Sequence, residues 1–224
     1  MLFGVDEAGK GPVLGSMFAA AIAIDDPTVL PEGVADSKRL TPDRREELAT
    51  TLRADDRIGV GVAEITTDRI DDPETDMNSL SVAAHARAIE RVVPDASTGK
   101  DDESTAVPEG LCDACDTDAD RFARRVTEAC PVPIDVTARH GADDESPIVG
   151  AASIVAKVER DAHIAALADE YGPIGSGYPS DPTTRTFLET YVDDHGEVPP
   201  FARRSWSTCA DLLAAAQQRG LEQF

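Results

Sequence analysis

Short apolar runs that break off at acidic residues alternate with helical stretches along most of this chain, and that alternation constrains the fold more than any other feature. Leu2-Phe3-Gly4-Val5 ends in Asp6-Glu7, and after a glycine-rich turn Met17 to Ile24 forms a second run, rich in Ala and Ile. The two read as strands joined by a tight turn. Ile58 to Ile65 alternates with glycines as a third strand, Leu111-Cys112 leads into Asp113 as a fourth, and Pro133 to Ala138 is a fifth. Thr41-Pro42 followed by Glu46 starts a helix running to about Arg53, with a capping residue, a proline at the first position and acids in the first turn. Spacing predicts helices over Asn78–Val93, Asp118–Ala129 and Pro147–Tyr171, the last ended by Gly172-Pro173. Two more cover about Pro182–Asp194 and Arg204–Arg219, and the polar, acidic, aperiodic segment 95–110 reads as a surface loop. Strands alternating with helices mean an α/β sheet with helices on both faces.

The chain's 224 residues suit one domain with at most a small appendage. Its 43 acids against 21 bases give a formal charge of −22, which argues at face value against any polyanionic partner. Asp outnumbers Glu 27 to 16 and Arg outnumbers Lys 17 to 4, a bias expected of adaptation to concentrated salt. There the Debye length falls to about 3 Å near 1 M and self-repulsion is tolerable. No stretch reaches the roughly 18 apolar residues of a membrane span, and the N-terminus lacks a basic segment followed by an apolar signal core. The expectation is a soluble, cytoplasmic protein. Four cysteines in so long a chain are read as reduced thiols.

Gly4-Val5-Asp6-Glu7-Ala8-Gly9-Lys10-Gly11 comes within one residue of a nucleotide P-loop. It lacks the hydroxyl that would hold Mg²⁺, Pro12 follows instead of a helix, and two carboxylates stand where a triphosphate would lie. The dinucleotide spacing is missed as well. The adjacent acids are the better clue. A carboxylate at the end of a buried strand is costly unless a cation meets it, and neighbours on a strand share one cation only where the strand ends or flanks an edge. Asp113 ends a strand in the same way, and Asp143 lies just beyond the Pro133–Ala138 strand. Acids at the carboxyl ends of strands converge on hard cations, and oxygen-only ligands favour Mg²⁺ or Mn²⁺ over zinc. Paired ions about 3.5–4 Å apart are the usual apparatus of phosphodiester hydrolysis. Spacing alone leaves the alternative of solvated turns in an acid-rich chain.

On the long helix Ser153, Lys157 and Arg160 share a face suited to phosphates, or to solvent; Ile148, Ala151, Ala152, Val155 and Ala156 form the apolar side. Of the four lysines, Lys10, Lys38 and Lys157 lie in segments suspected of function. Cys112-x-x-Cys115 has no second pair and reads as core rather than zinc site. His85, His163 and His195 read as structural, His140 as an accessory candidate, and Trp206 as an anchor.

Taken together, residues 4–15 (GVDEAGKGPVLG), 36–40 (DSKRL), 113–116 (DACD), 142–144 (ADD), 151–161 (AASIVAKVERD), 175–182 (GSGYPSDP) and 204–206 (RSW) closely resemble ribonuclease HII of the archaeal kind, in order and rough spacing across about 3–208. The resemblance implies a ribonuclease H-like fold, a mixed five-stranded sheet flanked by helices, with 1–175 as catalytic domain and 176–224 as a helical segment that helps hold substrate in one compact unit. It implies hydrolysis of RNA in RNA–DNA hybrids and incision at ribonucleotides embedded in duplex DNA, a repair activity, leaving 3′-hydroxyl and 5′-phosphate ends. The metal-binding acids map onto Asp6, Glu7, Asp113 and Asp143, with two divalent ions. The tripeptide that contacts the 2′-hydroxyl maps onto Gly9-Lys10-Gly11, the sugar-packing tyrosine onto Tyr178, and phosphate contacts onto Ser37, Lys38, Lys157 and Arg160. A monomer is implied; a sliding clamp is a conceivable partner without a convincing motif. Two features depart from the family: Lys10 stands where Arg is usual, and the 95–110 loop is longer and more acidic. The competing readings are a related nuclease that cuts only DNA, a nucleic-acid-binding module of the same fold without chemistry, and an acidic scaffold.

Overall fold

The computed structural model describes residues 1–34, 39–93 and 106–222. Five strands form one sheet in the order β3-β2-β1-β4-β5, with β1 at Leu2–Ala8, β2 at Met17–Ile24, β3 at Gly59–Ile65, β4 at Glu109–Asp113 and β5 at Asp135–Arg139. β1 and β2 are antiparallel, with Asp6 opposite Ala20 and Glu7 opposite Ala19; β1–β4 and β4–β5 are parallel. The sheet is therefore mixed, as expected. Each strand carries the run that predicted it. The exception in extent is β4, which begins at Glu109, inside the segment expected to be loop, because parallel pairing with Leu2 and Phe3 supplies hydrogen bonds that aperiodic Glu109-Gly110 gives no sign of.

The helices are α1 (Pro42–Ala54), α2 (Thr67–Ile70), α3 (Met77–Glu90), α4 (Ala119–Ala129), α5 (Ala142–Glu145), α6 (Pro147–Tyr171), α7 (Pro182–His195) and α8 (Ser207–Glu222). Thr41 caps α1 by accepting from the Arg44 amide at 3.3 Å, and Asp118 and Asp181 cap α4 and α7 in the same manner. The single turns α2 and α5 are too short to leave a periodic signal. Residues 9–16, expected as a tight turn, are instead a longer excursion in which Leu14 bridges Ala202.

The chain divides into two compact units interleaved along the sequence: Met1–Ala8, Phe18–Glu64 and Met77–Glu159 in the first, Gly9–Met17, Ile65–Asp76 and Arg160–Phe224 in the second. The first holds the sheet. On one face Ala20, Ile22 and Ile24 of β2 meet Leu48 and Leu52 of α1 and the small side chains Ala151, Ala152, Val155 and Ala156 of α6. α3 and α4 cover the other face of this unit, where His85 lies edge-on to Phe122 with ring centroids 5.1 Å apart. The second unit has its own core of Val13, Leu14, Ile164, Ile174, Leu188, Val192, Phe201 and Cys209.

Candidate active site

Asp6 and Glu7 are consecutive on β1 and so point to opposite faces of the sheet. Asp6, 5% exposed, faces α6 and accepts a hydrogen bond from Ser153, whose hydroxyl in turn takes one from Lys157 Nζ. Ser153, on the face of α6 that also carries Lys157 and Arg160, is fully buried and is spent on the carboxylate. Glu7 faces α3, and its Oε2 lies 2.7 Å from His85 Nε2. His85 was expected to be structural. It is fully buried. The only signal was its place in an otherwise apolar helical stripe.

Asp113 ends β4 and accepts the Ala142 amide at 2.7 Å. That bond anchors the first residue of α5 and so the turn that carries Asp143, which is buried at 3% exposure. Gly141, at φ +70°, makes the reversal from β5 into α5. The nearby Asp116 plays another part: Arg121 grips it at 2.5 and 3.2 Å, and those bonds hold its carboxyl down to about 2. His140, the accessory candidate, places Nδ1 3.1 Å from the Ala114 carbonyl, on the rim of this turn.

Burial, and after it the charge of Glu7, raise the Asp6 carboxyl to about 7; Asp113 adds to the rise, while Ser153 and Lys157 oppose it. For His85, burial pulls the imidazolium down, but the Cys112 thiol and the Glu7 carboxylate more than offset it and hold the ring well above its ordinary value. Among the described residues no three His, Cys, Asp or Glu side chains are gathered so as to hold a metal ion as they stand. As they stand, Glu7 is turned to His85 and one Asp113 oxygen accepts the Ala142 amide. The donors nonetheless suit a hard divalent cation, being all oxygen, and such a cation would relieve the crowding that raises Asp6.

The second unit holds the other sequence-predicted residues. Gly9 has φ +91°, and a Cβ there would lie 3.0 Å from the Ser16 carbonyl, so glycine is required; Gly11 lies in the ordinary φ range, where a Cβ would lie 3.7 Å from Tyr178 Cε1, an ordinary contact. Tyr178 is 40% exposed, with the Arg160 guanidinium 5.1 Å from its ring centroid. Arg160 donates to the Ser176 carbonyl and meets Asp161 at 3.2 Å, so its head group is engaged within the unit. The Gly177 carbonyl accepts from Val13 and Leu14 at 2.8 and 3.2 Å, stitching 9–16 to the loop that carries Tyr178. Arg203, one residue before the Arg-Ser-Trp motif, was missed by sequence reasoning. It is fully buried and donates to the carbonyls of Gly9, Lys10 and Gly15 at 2.5, 2.9 and 2.9 Å. Ser37 and Lys38 lie outside the described residues.

A family model described as ribonuclease HII matches residues 3–209. The chain belongs to the ribonuclease HII family. Ribonuclease HII of Haloarcula marismortui is 58% identical over 224 residues, covering 100% of both chains. The crystal structure of ribonuclease H2 from Pyrococcus horikoshii is similar at TM-score 0.84 and 36% identity, over 97% of this chain and 99% of that one. A ribonuclease HII from Archaeoglobus fulgidus, solved as a complex with PCNA, is similar at TM-score 0.79 and 34% identity, over 95% and 96% of the two chains. The protein is thus a ribonuclease H, a metal-dependent hydrolase, on a ribonuclease H-like fold, and its relatedness to a halophile enzyme fits the composition. No helix among the described residues is long and apolar enough to cross a membrane.

Proposed function

We propose that this ribonuclease HII cleaves the RNA strand of RNA–DNA hybrids and also cuts at single ribonucleotides embedded in duplex DNA, leaving 5′-phosphate and 3′-hydroxyl ends, with two divalent ions, Mg²⁺ or Mn²⁺, held by Asp6, Glu7, Asp113 and Asp143. The observation that carries the reading is Asp6: a buried carboxylate on the central strand, crowded by Glu7 and Asp113, is costly in the free protein and favourable once a cation is bound. When bound, the ions supply an activated hydroxide and stabilise the leaving oxygen. The chain's own residues orient and exclude. Ser153 and Lys157 fix the Asp6 oxygens, His85 fixes Glu7, and the Ala142 amide fixes Asp113. Gly9-Lys10-Gly11 contacts the 2′-hydroxyl that marks RNA against DNA, and Tyr178 offers an exposed ring to the sugar. Phosphates are taken by Ser37, Lys38 and Lys157, with Arg160 lending its charge from behind Tyr178. Residues 176–224 serve substrate holding, and the enzyme acts as a cytoplasmic monomer. Likeness to the Archaeoglobus protein supports a sliding clamp as a partner.

Three substrates test this with Mg²⁺ or Mn²⁺: a hybrid, a duplex with one ribonucleotide, and the same duplex in all DNA. Cleavage of the first two alone is expected, with Asp113→Asn and Asp143→Asn each lowering kcat at least about a hundredfold. Full activity of either variant would sink the metal-site assignment, and cleavage of the all-DNA duplex would put a DNA-cutting nuclease in its place.

A further inference from the structure

The sharpest arrangement outside the carboxylates is the set of backbone carbonyls that converge on one side chain. Arg203 is fully buried, and among the described residues its guanidinium hydrogen-bonds to backbone carbonyls and to no carboxylate. Its guanidinium spends Nε on the Gly15 carbonyl, one terminal nitrogen on Lys10 and the other on Gly9. Trp206 completes the backing: its ring centroid lies 5.0 Å from the guanidinium carbon, and its Nε1–H donates to the Gly11 carbonyl at 3.3 Å. The carbonyls of 9, 10 and 11 are therefore all drawn to one side by two side chains almost two hundred positions away in sequence. Asp71 holds the two residues between Arg203 and Trp206, accepting the Arg204 and Ser205 amides at 2.8 and 2.9 Å.

In a trans peptide the C=O and the N–H of the same unit point in opposite directions. When Arg203 draws the Gly9 and Lys10 carbonyls one way, the amides of Lys10 and Gly11 are turned the other way. The next unit ends at Pro12, which carries no amide hydrogen, so the backing fixes a pair of donors and no third. Such a pair suits a hydroxyl or phosphate oxygen, and backbone amides read position independently of side-chain length.

We propose that Arg203, backed by Trp206, is the positioning residue for 2′-hydroxyl recognition: it clamps the carbonyls of Gly9, Lys10 and Gly15 so that the Lys10 and Gly11 amides face the ribose. The inference rests on the reading of Gly9-Lys10-Gly11 as the tripeptide that contacts the 2′-hydroxyl. On this reading the discrimination resides in amides that any residue at position 10 supplies. A planar fork is needed to reach three carbonyls at once, and a lysine ammonium cannot match it.

The test compares affinities for two duplexes that differ by a single 2′-hydroxyl, measured by fluorescence anisotropy in EDTA so that nothing is hydrolysed. Wild type is expected to prefer the ribonucleotide duplex. Arg203→Lys should lose about tenfold of that preference while binding the all-DNA duplex within about twofold of wild type. Lys10→Ala should keep the preference. Trp206→Phe, which retains a ring over Arg203 but removes the Gly11 hydrogen bond, should lose about two- to threefold and decides the matter if Arg203→Lys fails to fold. Equal weakening of both duplexes, or an undiminished preference in the folded variants, overturns the role of Arg203. Loss of the preference in Lys10→Ala shifts recognition to the side chain and overturns it too. A wild type without preference overturns the reading of the tripeptide, and the inference with it.

Discussion

At the scale of single residues the enzyme is a study in what neighbouring charges do to one another without a cation. Asp6 is the case with a measurable sign. Its carboxyl is raised to about 7 by burial and by Glu7, so between the unfolded value of 3.8 and about 7 the folded state keeps a proton that the unfolded chain has released. Stability therefore falls as pH rises through that window, and above it the ionised Asp6 weighs against folding. In EDTA the protein should lose thermal stability from about pH 4.5 to about pH 7.5, and Asp6→Asn should unfold at a higher temperature than wild type at about pH 8. Thermal melts across pH decide it; an Asp6→Asn protein that melts lower would show that the carboxylate is not crowded. The sequence disclosed the acids themselves, because each sits at a break between apolar run and turn. It could not disclose that Asp6 answers to Ser153 and Glu7 to His85, since those partners come from helices whose faces only the assembled sheet fixes.

Among the elements, the strands and long helices were legible because their signals are local: a capped proline start for α1, a glycine stop after α6, period-two burial in β3. What stayed hidden is held by long-range bonds. The loop carrying Tyr178 is fixed by α7, where buried Thr184 donates to the Ile174 carbonyl and accepts the Gly177 amide, both at 2.9 Å. Asp181 reinforces it by accepting the Ser176 amide at 2.6 Å. Thr184→Val keeps the shape and strands both backbone groups in a buried setting, at a cost of about 2–3 kcal/mol. Urea unfolding should show that loss, together with a raised KM for the ribonucleotide duplex and a kcat little changed. An isosteric swap with no effect on either would mean that the loop is held by its glycines alone. The same blindness explains Arg203, whose partners are up to 194 positions away along the chain.

For the whole molecule, the charge of −22 first stands against a nucleic-acid substrate. On the proposed function four of the acids ligate metal, and several others are already matched, such as Asp116 with Arg121 and Glu159 with Arg53. In concentrated salt little affinity is available from counterion release, so on the proposed function binding rests on metal bridges, amide contacts to the 2′-hydroxyl and the Tyr178 ring. Activity should accordingly persist or rise from low to molar KCl. A steady decline in both folding and turnover over that series would refute the reading of the charge as salt adaptation. β1 lies between β2 and β4 at the centre of the sheet. A Cβ at Gly4 would come within 2.7–2.8 Å of the Ile148 and Val149 backbone. If β1 slipped by one residue, Phe3 or Val5 would have to occupy that spot, and Asp6 and Glu7 would trade faces. Gly4 is thus a mechanical key, two positions upstream of the acids: only the register that seats a residue without a side chain under α6 also seats the right carboxylate on the right side of the sheet.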